Sequence, residues 1–438
     1  MKEKDHIPTS RSQRTGKFIK TSAKVGGNYL KHYGKKLFTG KDDTEVLHRE
    51  NAETVYETLS ELKGSALKVA QMMSLDQAIL PRAFADKFAM AQYSAPPLSY
   101  PLVVQTFRKS FGKEPQELFD RFSKNAVAAA SIGQVHQAML KGEKLAVKVQ
   151  YPGVADSIGS DLRVVKPIVR AMVNISAADL EHYAQEIEER LIEETDYNLE
   201  LIRSKEISSA CAYLPGLVFP EYYPELSSDR ILTMQWLEGS HLDDFLKTNP
   251  DQETRNHLGQ LLWDFYDFQI HTLHQVHADP HPGNFLFRED GTLGIIDFGC
   301  IKQFPESFYN AYFRILEKGI EKSGAPFDAI LYDLKFLLPE DTEEEQTYFR
   351  KIYADVLGLL TRPFFSEYFD FSDQSYFDEV FGKAQLYSND KMLRRAKAAR
   401  GPRDAIYLNR TYFGLYALLN KLKARVQTKS RVHEIFVS

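Results

Sequence analysis

The chain has 438 residues, 43% hydrophobic and 26% charged, with a formal net charge of −5. That balance excludes a largely disordered chain and suits about two to three compact units. It also gives no global basis for nucleic-acid binding, so no nucleic-acid partner is expected. Cys211 and Cys300 are the only cysteines. They are far apart and outside metal-ligand spacing, so neither a disulfide framework nor a zinc site is expected, and a reducing, cytoplasmic setting is. The sequence has no apolar run of about eighteen residues or more and no secretory h-region, and so reads as a chain that does not span a membrane.

Residues 1–43 read as a basic arm, with eleven Lys or Arg in the first 41 residues against Glu3 and Asp5. Its interleaved apolar and basic residues suit either an amphipathic helix on an anionic membrane surface or a solvated arm. Residues 44–118 read as a helical extension: Val55, Leu59, Leu62, Ala66, Leu67, Ala70 and Met73 recur at helical spacing, and no Pro intervenes before Pro81. A Pro-rich break at residues 94–101 precedes a short helix. Strand-like runs follow at 126–138 and 145–150, then a long charged helix over 179–209 and a strand at 231–236. A helix over 256–274 leads into loop, strand and turn at 277–299, and the rest reads as helical.

Chemistry concentrates in three segments. His277-Ala-Asp279-Pro-His-Pro-Gly-Asn284 is followed by Asp297-Phe298-Gly299. In a kinase catalytic loop an Asp faces the attacking group, an Asn five residues on holds metal, and the Asp of a later Asp-Phe-Gly turn holds metal as well. A lone Asp-Phe-Gly is usually only a turn; the upstream loop at the right distance gives it meaning. Leu145-Ala-Val-Lys148-Val-Gln150 has the pattern of a strand whose Lys reaches nucleotide phosphates. Alternation puts Ala146 and Lys148 on one face and Val147 and Val149 on the other. Asp196 and Glu200, four apart, are both candidate partners for Lys148, and spacing does not choose between them. The expected Gly-rich loop is replaced by Ala128-Ala129-Ala130-Ser131-Ile-Gly133-Gln134-Val135, a stiffer loop with fewer glycines.

Together these segments resemble the UbiB/ADCK family of atypical kinases over roughly residues 50–425. The resemblance implies an α+β, two-lobed protein-kinase-like fold with a helical N-terminal extension over the active site. Residues 119–238 would form the N-lobe and 239–438 the C-lobe. It also implies ATP or ADP with Mg2+ bound between the lobes, the nucleotide held by the Ala-rich loop, Lys148, Met234 and Trp236. Asn284 and Asp297 would hold metal, Asp279 would be catalytic, and Glu200 would pair with Lys148. Glu194 and Asp196 would face an inhibitory Lys-x-Gly-Gln element, which here reads Lys68-Val-Ala70-Gln71, with Ala70 in place of the family Gly. The segment 152–174 matches a family insertion, and no Ala-Pro-Glu follows the Asp-Phe-Gly, which argues against conventional protein-kinase activity. The stretch 407–422 is too short and interrupted to span a membrane and is expected to pack on the C-lobe or touch a membrane peripherally.

The function so implied is ATPase or phosphoryl transfer to a small or lipid-like acceptor in support of isoprenoid-quinone metabolism, with isoprenoid lipids, an anionic membrane surface and quinone-biosynthesis proteins as candidate partners. A nucleotide-gated binding module without turnover is the alternative. An aminoglycoside-type phosphotransferase shares the catalytic loop but leaves the Ala-rich loop and the Lys68 motif unexplained.

Overall fold

The computed structural model describes Thr21, Lys24, Gly27, Asn28 and residues 44–62, 99–129, 132–172, 177–317, 319–388 and 400–428. The expectations for Lys68, Ala70, Gln71, Ala130, Ser131 and most of the basic arm fall outside these residues. The fold mixes helix and sheet, and the chain divides into two compact units. The first comprises residues 1–201, 221–236 and 387–397, and the second residues 202–220, 237–386 and 398–438.

The first unit is built on an antiparallel sheet. Strands β1 (Arg121–Phe122), β2 (Ala128–Ala129), β3 (Gly133–Leu140) and β4 (Glu143–Gln150) are followed by a further strand, Ile231–Gln235. β1 and β2 both pair with β3, β3 pairs with β4, and β4 pairs with the Ile231–Gln235 strand. One sheet face packs Ala138, Leu145, Val147, Val149 and Ile231 against Val103 and Phe107 of the Tyr100–Phe111 helix. Gly112 ends that helix in the left-handed region at φ 70°, its N–H donating to the Arg108 carbonyl; glycine takes this conformation without the Cβ penalty. On the other face Ala146 packs against Tyr197, Leu201, Tyr222, Leu232 and Met234.

Two sequence expectations need correction here. The strand-like run 126–138 is two strands, with Ala128 opposite Val135 and Ala129 opposite Gln134. The single helix expected over 179–209 is two, Ala177–Glu194 and Tyr197–Cys211. Asp196 makes the break: its Oδ1 accepts the backbone N–H groups of Asn198 (3.0 Å) and Leu199 (3.2 Å), so it caps the second helix. It therefore does not share a helical face with Glu200.

The second unit is mostly helical. The Gln252–His271 helix, with Asp251 accepting from the Thr254 N–H at its start, and the Arg403–Leu422 helix each bury one long face. Trp263 of the first stacks with Tyr416 of the second. Short strands hold the loops between these helices. Gln275–His277 pairs with Ile301–Gln303, and Phe285–Phe287 pairs with Leu293–Ile295, which also pairs in parallel with Leu217–Val218. The stretch 407–422 thus packs inside this unit. Tyr368–Asp370 and Arg425–Gln427 add a two-stranded sheet to a region expected to be helical throughout. Among the described residues no helix is long and apolar enough to cross a membrane.

Candidate functional site

In the first unit, strand alternation delivers Lys148 to the face opposite Val103 and Phe107. Its Nζ donates to both carboxylate oxygens of Glu200, at 2.7 and 3.0 Å. Both side chains are largely withdrawn from water, 13% exposed for Lys148 and 3% for Glu200. A buried carboxylate needs such a partner, because stripping a charge of water without compensation is expensive. The Tyr197 ring lies beneath the ammonium, 5.0 Å from Nζ, and adds a cation–π contact. Tyr197 also explains Gly133: a Cβ there would lie 2.6 Å from the Tyr197 hydroxyl and 2.9 Å from the Val149 carbonyl oxygen.

The remaining predicted residues of this unit divide by face. Val135 stands directly opposite Lys148 in the β3–β4 register. Gln134 is fully buried on the core face, its side chain engaged with His136, so it turns away from Lys148. Met234 is buried beside Ala146. The Trp236 backbone N–H donates to the Lys144 carbonyl, and the Lys144 ammonium lies 4.7 Å from the Trp236 ring centroid. Glu194 is half-buried and Asp196 is exposed.

In the second unit the His277–Asn284 segment folds on itself. The Asn284 side-chain amide donates to the Asp279 carbonyl at 2.9 Å, and the Gly283 N–H donates to His281 Nδ1 at 3.0 Å. Gln269, buried in the Gln252–His271 helix, accepts the His277 N–H at 2.9 Å and fixes the start of the segment. The Ile296 N–H donates to the Asn284 carbonyl, and the Ala278 N–H to the Cys300 carbonyl. The two motifs are thereby tied side by side, with Asp297 next to the first tie and Asp279 next to the second. Asp297 Oδ1 accepts the Gly299 N–H at 2.9 Å, which sets the turn. Phe298 is buried at 5.8 Å from the His277 ring.

Two contacts here join residues far apart in sequence. Arg410 donates to Asp279 Oδ1 at 3.0 Å, and Gly414, one helical turn on, lies against the Pro280 ring. Both belong to the Arg403–Leu422 helix, which forms a platform for the loop. Burial, reinforced by the Asp279 charge, pushes the phenol of neighbouring Tyr266 well above its ordinary range and keeps it protonated. The sequence alone does not single out Arg410, Gly414 or Tyr197.

The donors present suit magnesium. Asp297 offers a carboxylate and Asn284 an amide oxygen, both hard ligands, and Mg2+ is usually held by one or two protein oxygens together with phosphates and water. Among the described residues no group of three or more His, Cys, Asp or Glu gathers as a self-contained metal cage.

Comparison with known proteins agrees with these motifs. Residues 90–325 match the family described as the ABC1 atypical kinase-like domain. The chain is 28% identical to the Saccharomyces cerevisiae protein named atypical kinase COQ8, mitochondrial, over 98% of this chain and 85% of that one. It is 27% identical to the probable serine/threonine-protein kinase abkA of Dictyostelium discoideum, over 98% of this chain and 80% of that one. Among solved structures, the Rv3197–erythromycin complex from Mycobacterium tuberculosis superposes with a TM-score of 0.60 at 26% identity, covering 90% of this chain and 97% of that one.

Proposed function

The chain belongs to the ABC1 atypical kinase-like family, and from that premise we propose that it binds ATP or ADP with Mg2+ and catalyses ATP hydrolysis or phosphoryl transfer to a small or lipid-like acceptor. In this reading Lys148, held by Glu200, orients the phosphates, and the Ala-rich hairpin with Val135, Met234 and Trp236 contributes to nucleotide binding. Asn284 and Asp297 hold the magnesium, which supplies charge neutralisation when bound. Asp279 positions or deprotonates the acceptor. The observation that carries the reading is the bidentate Lys148–Glu200 pair. The pair fixes a cationic head, 13% exposed, on the sheet face opposite Val103 and Phe107, where a phosphate oxygen can approach it. The names of the COQ8 relatives support a role in isoprenoid-quinone metabolism, with quinone-biosynthesis proteins and isoprenoid lipids as candidate partners and peripheral contact with an anionic membrane.

One observation favours a second reading, a nucleotide-gated binding module. Asp279 is already engaged by the Arg410 guanidinium, which withdraws negative charge from the group expected to act as base.

Thermal unfolding with ADP or ATP, with and without Mg2+, beside Asp297→Asn tests the site. Ligand at a hundred times its dissociation constant stabilises a fold by about 2.7 kcal/mol, a readily visible shift. A Mg-dependent shift lost in the variant is expected; no shift with any nucleotide overturns the reading. Turnover with liposomes then separates the two readings, because the module alone predicts none.

A further inference from the structure

Behind β3, two polar side chains lie in a largely apolar layer. Gln134 and His136 are both fully buried and point, two residues apart, to the face that packs Ala138, Val147 and Val149. His136 Nδ1 lies 2.8 Å from the Ser123 carbonyl oxygen, and its Nε2 lies 2.8 Å from Gln134 Nε2. A carbonyl can only accept, so Nδ1 carries the proton, and the bare Nε2 accepts from the Gln134 amide. The ring also stacks on Phe122 of β1, with centroids 5.0 Å apart.

This relay joins the two ends of one structural unit. Ser123 leaves β1 and begins the approach to the Ala-rich hairpin, and its N–H donates to the Gln137 carbonyl. Gln134 sits on the returning strand, opposite Ala129. Between them the Val127 N–H donates to the Val135 carbonyl. Burying two polar groups in a largely apolar layer is costly unless each is satisfied. Burial pushes the His136 imidazole below its ordinary range, against the opposing pull of the Ser123 carbonyl, which keeps the ring in the neutral form that the relay requires.

We propose that His136 and Gln134 are positioning residues that fix the Ala-rich hairpin for nucleotide binding by tying Ser123 to β3. The inference rests on the nucleotide reading above. It assigns Gln134 an indirect role: the side chain orders the hairpin from behind.

The test is the pair Gln134→Leu with His136→Phe in the full chain. Replacing both side chains with apolar groups leaves no half-paired amide or imidazole, and the Ser123 carbonyl, on a partly exposed residue, can turn to water, so the double variant is expected to melt close to the parent. With the relay gone, Mg-ATP binding should weaken about tenfold and the Val127 amide should exchange about tenfold faster without nucleotide, since the two hydrogen bonds lost are worth about threefold each. Unchanged affinity together with unchanged exchange in a stable double variant overturns the proposal. A parent that binds no nucleotide overturns the nucleotide reading instead, and the exchange measurement alone then decides. If the double variant does not fold, His136→Asn keeps a donor towards Ser123 and drops only the Gln134 contact; about a threefold change in the same readouts is expected, and none overturns the proposal.

Discussion

Arg410 and Asp279, 131 positions apart, form an ion pair at 3.0 Å in which both side chains are mostly shielded from water. The guanidinium fixes the carboxylate's direction while competing for its charge. With positioning dominant, Arg410→Met should lower turnover about ten- to a hundredfold, the loss expected when a charge-assisted contact to a reacting group goes, and leave the nucleotide-induced melting shift intact. Steady-state kinetics beside nucleotide-dependent melting measures both. Faster turnover in the variant would mean that the pair restrains Asp279.

Gly414 carries a second test of the same platform. It sits in the middle of the Arg403–Leu422 helix, where exchange for Ala should stabilise by about 1 kcal/mol from helix propensity alone. A Cβ at that position would run into the Pro280 ring, with Pro280 Cβ only 3.0 Å away. Gly414→Ala should therefore fail to gain that stability and should lower turnover by displacing the catalytic-loop segment. A variant more stable than the parent by the full amount, with activity retained, would show that Pro280 moves aside freely.

The Lys148–Glu200 pair predicts a non-additive result. Lys148→Met leaves Glu200, 3% exposed, without its cation and should cost about 3 kcal/mol in chemical denaturation. Adding Glu200→Leu should recover most of that loss, because an apolar pair replaces an ion pair at little net cost. The recovered protein should still show no response to Mg-ATP. Recovered stability with a retained nucleotide response would remove Lys148 from the binding chemistry.

The sequence was most legible where function lies in short local strings. Lys148 could be placed on its face because strand alternation is a backbone property, and Asp279, Asn284 and Asp297 because their spacing is set within one loop–strand–turn. The choice of Glu200 over Asp196 was not available from periodicity, since a capping Asp and a helical Asp look alike until the break between the two helices is seen. Arg410 and Gly414 were illegible for a different reason. Their roles arise only when a distant helix packs on the loop, and each alone reads as an ordinary helix residue. Gln134 reads as a loop residue near phosphates, and only the strand register shows that it faces inward.

His271 is fully buried, with one ring nitrogen 2.9 Å from the Tyr309 hydroxyl and the other 3.3 Å from the Tyr412 hydroxyl. Asp267, 3.8 Å away, favours the charged ring, yet burial, aided by nearby His274, holds the imidazole well below its ordinary range. His136 is depressed for the same main reason, burial. The unfolded chain therefore takes up protons, near pH 6.5, before the folded one does. The stability these groups contribute is complete above about pH 6.5 and is lost as pH falls, by about 1.4 kcal/mol per pH unit for each histidine until the folded ring itself protonates. Denaturant unfolding between pH 7.5 and 5 should show this slope. His271→Phe should lower stability at pH 7 by about 1–3 kcal/mol, because the tyrosine hydroxyls lose their partner. It should also reduce the acid slope by about one proton, which simple loss of packing would leave unchanged.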